Sequence, residues 1–184
     1  HLAALCAGWL AHVSPEVQHR DFPLAPPSAE FWLGTDALGR DQFSRLLHGG
    51  RLSLFSGIGA ALLSAFLGGV LGLVAGFRGG WLDELVMRVA DIQLALPAFL
   101  LAILIAVVIG PSVTNVVITL ALTRWVIFAR VARGSTVAVR EREFVDSARL
   151  LGASRWRLMR RHILPLAITP LLIVATTQFG LVIL

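Results

Sequence analysis

Residues 53–77 read SLFSGIGAALLSAFLGGVLGLVAGF, 25 positions without a charged side chain. At about 1.5 Å of rise per residue, a helix of this length crosses a hydrocarbon core of about 30 Å with some tilt, so the stretch predicts a membrane span. Composition agrees. Of 184 residues, 57% are hydrophobic and 15% charged, with a mean hydropathy of +0.80, whereas a soluble domain carries roughly a quarter of its residues charged. The expected fold class is all-α, a polytopic bundle of membrane-spanning helices. Within the span, Ser56, Ala60, Ser64, Gly68, Gly72 and Gly76 recur at every fourth position. Such a ridge of small side chains lets helix backbones approach closely, within the subunit or across a dimer.

Further along, residues 92–123 again lack charge but are too long for one crossing, and Gly110-Pro111-Ser112 is the expected turn. Two antiparallel helices are predicted. The first starts near Leu85, with Arg88 and Asp91 at its wet end; the second runs from about Ser112 to Ala129, with Arg124 near its far end. A last span is expected from about Ile163, and Pro97, Pro165 and Pro170 should kink their helices. Residues 1–13 read as the end of a truncated first span, and Leu184 lies within an apolar run, so an internal fragment is expected.

All sixteen basic residues are arginine, and their distribution gives orientation, because cytoplasmic loops retain basic side chains. Nine lie between Arg130 and Arg161 and two between Arg78 and Asp91, against four between Ser14 and Leu52. The 130–161 loop is therefore expected in the cytoplasm and residues 14–52 outside, with the transmembrane core at 53–184. The net charge of +5 is a topological signal, and no nucleic-acid partner is expected. Arg124 either snorkels at the cytoplasmic boundary or lines a substrate path, while Gln93, Asn115 and Gln178 either line a path or join helices.

In the outer loop, Thr35 or Asp36 should cap a turn. Asp41 should start a short helix, with Phe43, Leu46 and Leu47 on its apolar face, that Gly49 and Gly50 stop. Cys6 is alone, the five histidines lack ligand spacing, and Asp36 with Asp41 are too few for a calcium loop, so no metal site is expected. There is no phosphate-cradling Gly-Lys-Ser loop and no catalytic motif.

EFVDSARLLGASRWRLMRRHILP, residues 143–165, is the charged exception. Phe144, Val145, Ala148 and Leu151 fall on one face of a short amphipathic helix, with Asp146 and Arg149 on the other. Gly152 is placed to end that helix, and Ser154 to cap a second one running through the arginines into the membrane. Read alone, the segment suits an interfacial helix on anionic lipid.

The order Asp146, Ser147, Ala148, then Gly152, then Leu164-Pro165 resembles the EAA loop of ABC importer membrane subunits, with aspartate where that family usually has glutamate. FWLGTDALGRDQFSRLLHGGRLSL, residues 31–54, resembles the segment ahead of the second span in the dipeptide, oligopeptide and nickel permease branch; its signature positions here are Gly34, Thr35, Asp36, Gly39, Arg40 and Asp41. GWLDELVMRVADIQLALPAFLLAI and the Gly-Pro turn resemble the same branch. The resemblance implies a non-enzymatic membrane subunit that imports small peptides, or chelated nickel, by alternating access. It implies a second permease subunit, as a heterodimer, two ATPase subunits that use the ATP, an extracytoplasmic solute-binding protein and a bacterial or archaeal cytoplasmic membrane. It also implies no cofactor bound by this chain. Glu143, Phe144, Val145, Asp146, Ser147, Ala148, Leu151, Gly152, Leu164 and Pro165 are the implied ATPase-coupling residues. Glu141, Glu143 and Asp146 could pair with the ATPase or with local arginines. An ion-coupled carrier and a lipid-binding scaffold are the alternatives.

Overall fold

The computed structural model describes Ser14 and residues 17–183. The expected end of a first span at 1–13 lies outside the described residues. Among the described residues, seven α-helices follow in order: α1 Gln42–Arg78, α2 Gly80–Ala95, α3 Ala98–Ile109, α4 Val113–Arg140, α5 Glu143–Leu150, α6 Arg155–Leu158 and α7 Leu164–Ile183, with a π-helical turn at Met159–Ile163 between the last two. Among the described residues the only β pairing is an isolated Thr35–Asp41 bridge. The chain is all-α, as expected. It forms two compact units, which divide within α1 after Phe55.

In the first unit, Asp41 accepts from the Ser44 amide at 3.0 Å and the Ser44 hydroxyl at 2.6 Å, which starts α1. Gly49 and Gly50 do not stop it. The helix runs unbroken through both, for 37 residues, because glycine inside a helix weakens it by only about 1 kcal/mol and does not forbid it.

α1, which begins in the first unit and ends in the second, and α4 and the continuous stretch Arg155–Gln178 of the second are long and apolar enough to cross a membrane. α2 and α3 are long and apolar enough only when taken together, and they are bent by 98° at the break between them, the geometry of a broken span or a re-entrant loop. The expected single helix from Leu85 to Gly110 is therefore corrected. Leu96 adopts an extended backbone (φ −92°, ψ 136°), the conformation that a following proline imposes, and Pro97 restarts the chain in a new direction. The second helix of the pair is corrected too. α4 continues eleven residues beyond Ala129 to Arg140, since leaving the hydrocarbon removes the lipid and not the helical hydrogen bonds.

α4 packs against α2, α3 and α7. Ala90 of α2 meets Trp125, Val126 and Ala129 of α4 in a buried cluster, to which Leu67 of α1 adds. Asp83 binds Arg133 in a fork at 2.5 and 2.7 Å, and Asp91 binds Arg130 at 2.6 Å, tying α2 to the C-terminal half of α4. Ser56, Ala60, Ser64, Gly68, Gly72 and Gly76 are all buried. A Cβ on Gly68 would stand 2.1 Å from the Trp125 carbonyl oxygen, and one on Gly72 2.2 Å from that of Ala129. This part of the ridge lies against α4 of the same chain.

Candidate functional site

The α4–α5–α6 elbow is built from a buried apolar seam and a glycine stop. Val145 is fully buried with Val139, Leu158 and Ile163, and Ala148, Ala153, Phe77 and Met159 pack around them. Burying a valine of this kind contributes about 1.5–3 kcal/mol. At the end of α5, the Ala153 amide donates to Ala148 O at 3.1 Å and the Gly152 amide to Arg149 O at 3.0 Å, the paired bonds of a Schellman stop. That geometry needs the left-handed φ of +79° at Gly152. Ser154 then accepts from the Arg157 amide at 3.4 Å and starts the next helix.

The π-helical turn ends just ahead of Pro165. Leu164 donates to Met159 O, a five-residue closure that widens the helix where proline lacks an N–H.

The expected contact face is corrected here. Phe144, Val145, Ala148 and Leu151 do not form one outward face, because Val145 and Ala148 turn onto the chain's own seam. What projects instead is Leu150, 90% exposed, and Leu151, 89%, followed by Trp156, with Phe144 less so. The Phe144 ring lies 6.2 Å from the His162 ring. Leu150 and Trp156 were not singled out by periodicity, although the Leu-Leu pair directly ahead of a glycine stop was a usable signal. Asp146 pairs locally with Arg149 at 2.9 Å. Glu143 and Ser147 are exposed, Leu164 is half-buried and Pro165 exposed. Arg140 donates to Gly76 O at 2.9 Å and Phe77 O at 3.3 Å, fixing the end of α4 to the end of α1.

Deeper in the second unit, Arg124 donates to Gln178 Oε1 at 2.6 Å. Arg124 lies about 8 Å of helix before Ala129, where the apolar stretch ends, and this bond joins α4 to α7. Gln93 donates to the carbonyls of Leu122 (2.9 Å) and Thr123 (3.1 Å) and accepts from Trp125 Nε1 (2.8 Å). Asn115 donates to Ile109 O and Gly110 O. All three polar residues hydrogen-bond within the chain.

In the first unit, Gly34, Thr35, Asp36, Gly39, Arg40 and Asp41 make a tight loop. Gly34 and Gly39 have φ of +74° and +72°, and a Cβ on Gly39 would fall 2.0 Å from His19 O. Asp36 accepts from the amides of Leu38 and Arg40, from Arg40 Nε at 2.8 Å and from Arg45. The Arg40 amide first, then the Leu38 amide and the Arg40 side chain, hold its pKa at about 2 against desolvation. Among the described residues, no group of three or more His, Cys, Asp or Glu could hold a metal ion.

Residues 68–184 match the family of binding-protein-dependent transport system inner membrane components. The chain belongs to that family. This inner membrane component is 43% identical to the di/tripeptide transport system permease protein DppC of Pseudomonas aeruginosa, over 96% of its own length and 60% of the relative's. It is 37% identical to the probable D,D-dipeptide permease DdpC of Escherichia coli (97% and 60%). It is 40% identical to the glutathione permease GsiD of Pectobacterium atrosepticum (84% and 52%). The inner membrane component thus spans a little over half the length of the curated relatives it matches.

Proposed function

We propose that this chain is the membrane-spanning subunit of an ATP-driven importer of small peptides in a bacterial cytoplasmic membrane. In this reading it works with a second permease subunit, two ATPase subunits and an extracytoplasmic binding protein. ATP is hydrolysed on the ATPases, and this chain binds no cofactor. The peptide and glutathione cargoes in the relatives' names support the substrate class.

The observation that carries the reading is the two-sided build of α5. Its inner side, Val145 and Ala148, is locked onto Val139 of α4 and onto Leu158 and Ile163. Its far end projects Leu150 and Leu151 almost fully. An apolar pair exposed at a fixed turn is suited to seat in a cleft of a soluble subunit. Force applied there passes through the seam to α4 and α7 rather than flexing a loop. Closure of the ATPase pair would drag the elbow and open the path outward, and hydrolysis would reset it.

The test is crosslinking in an actively pumping complex. Cysteine at Leu150 or Leu151 should capture the ATPase subunit, with yield that changes between nucleotide states, and cysteine at Val145 should not. Capture of lipid alone from 150 and 151 refutes the coupling role.

A further inference from the structure

A groove of about 760 Å³ opens beside the elbow, and four guanidinium groups line it: Arg78, Arg140, Arg149 and Arg155. No carboxylate lines it. Arg140 is held by the end of α1 and Arg149 by Asp146. Among the described residues, the side chains of Arg78 and Arg155 have no hydrogen-bond or ion-pair partner. Arg78 is the last residue of one candidate span and Arg155 the first of another. The rest of the wall is largely apolar: Val74 and Phe77 from the last turn of α1, with Leu158 and Met159. Trp156, 71% exposed, stands at the groove as an interfacial aromatic.

The groove therefore joins two unpaired cations, one of them at the end of the uncharged run 53–77, to an apolar wall on the last turns of α1. We propose that this groove binds an anionic phospholipid, its headgroup phosphate on Arg78 and Arg155 and its upper acyl chains against Val74 and Phe77. Basic pockets between spans at a membrane face select lipid headgroups in this way. A soluble subunit could supply carboxylates, but Val74 lies one helical turn inside Arg78, where acyl chains reach and a water-soluble surface does not. The proposal rests on α1 and Arg155–Gln178 crossing the membrane, and it is independent of the ATPase contact.

The intact transporter, purified in detergent with its partner subunits, is titrated with phosphatidylglycerol or phosphatidylcholine of identical acyl chains, and retained lipid is counted by native mass spectrometry. Two basic groups at about fivefold each predict roughly thirtyfold preference for phosphatidylglycerol. The R78Q/R155Q variant should lose that preference, R78K/R155K should keep most of it, and R160Q/R161Q, which removes two charges outside the groove, should leave it intact. Equal retention of both lipids by the unaltered transporter overturns the proposal. So does an unchanged preference in R78Q/R155Q, an equal loss in R78K/R155K or R160Q/R161Q, or release of an ATPase subunit from R78Q/R155Q with lipid retention unchanged.

Discussion

Adding one methyl group at Gly72 should separate α1 from α4. The new Cβ would lie 2.2 Å from Ala129 O, 2.9 Å from Ala129 C and 2.8 Å from Ala132 Cβ, where ordinary contact begins at 3.4 Å. The nearest atoms are backbone, so no rotamer change relieves the clash, and the helices must part locally by about 1.2 Å. A gap of that size forfeits about half of the dispersion attraction along the seam. Overpacking of this kind destabilises by about 1–3 kcal/mol, and 1–2 kcal/mol is roughly a 5- to 30-fold change in the folded ratio. Gly68→Ala meets Trp125 O at 2.1 Å and should behave alike, whereas Gly76→Ala, nearest Arg133 O at 2.8 Å, should be milder. Gly69→Ala faces only Leu171 Cδ1 at 3.7 Å and should be neutral. The assay is the monodisperse fraction of heated, detergent-solubilised transporter, followed by size exclusion. If Gly68→Ala and Gly72→Ala melt with the parent, or Gly69→Ala melts as early as they do, the close-packing argument is wrong.

Gly152→Ala has open space for its Cβ, so only the left-handed backbone resists it, at about 1–2 kcal/mol; transport should fall more than thermal stability, and unchanged uptake would count against the elbow. Gln178→Leu leaves the Arg124 guanidinium without its 2.6 Å acceptor and should destabilise by about 1–3 kcal/mol, with Gln178→Glu restoring stability. Asp36 has a folded pKa below the ordinary 3.8, at about 2, so its stabilisation is present above about pH 4 and is lost as pH falls toward 2. Protease or hydrogen-exchange protection of residues 34–45 should fall across that window in the parent, and Asp36→Asn should be equally unprotected at both ends.

Residues whose burial is dictated by solvent were legible. The uncharged run at 53–77, the Gly110 turn, the α5 amphipathicity and the stop at Gly152 each follow from local chemistry and stand in the structure. Features that depend on a partner surface were not. Periodicity placed Val145 and Leu151 on one stripe, but whether a stripe meets its own chain or another is a tertiary matter, and the seam of Val139, Leu158 and Ile163 claimed Val145. Hydropathy ended a span at Ala129 because it marks where lipid ends, while the hydrogen-bonded helix continues to Arg140. Pro97 was expected to kink a helix, yet with Leu96 extended it breaks the helix outright.

The length of α4 has a mechanical corollary. Clamped at Trp125 and Ala129 against the α1 glycines and at Arg140 to the last carbonyls of α1, it is held to that helix at two places about 16 Å apart. A rod fixed at two points cannot pivot on its neighbour, so the two helices tilt as one piece.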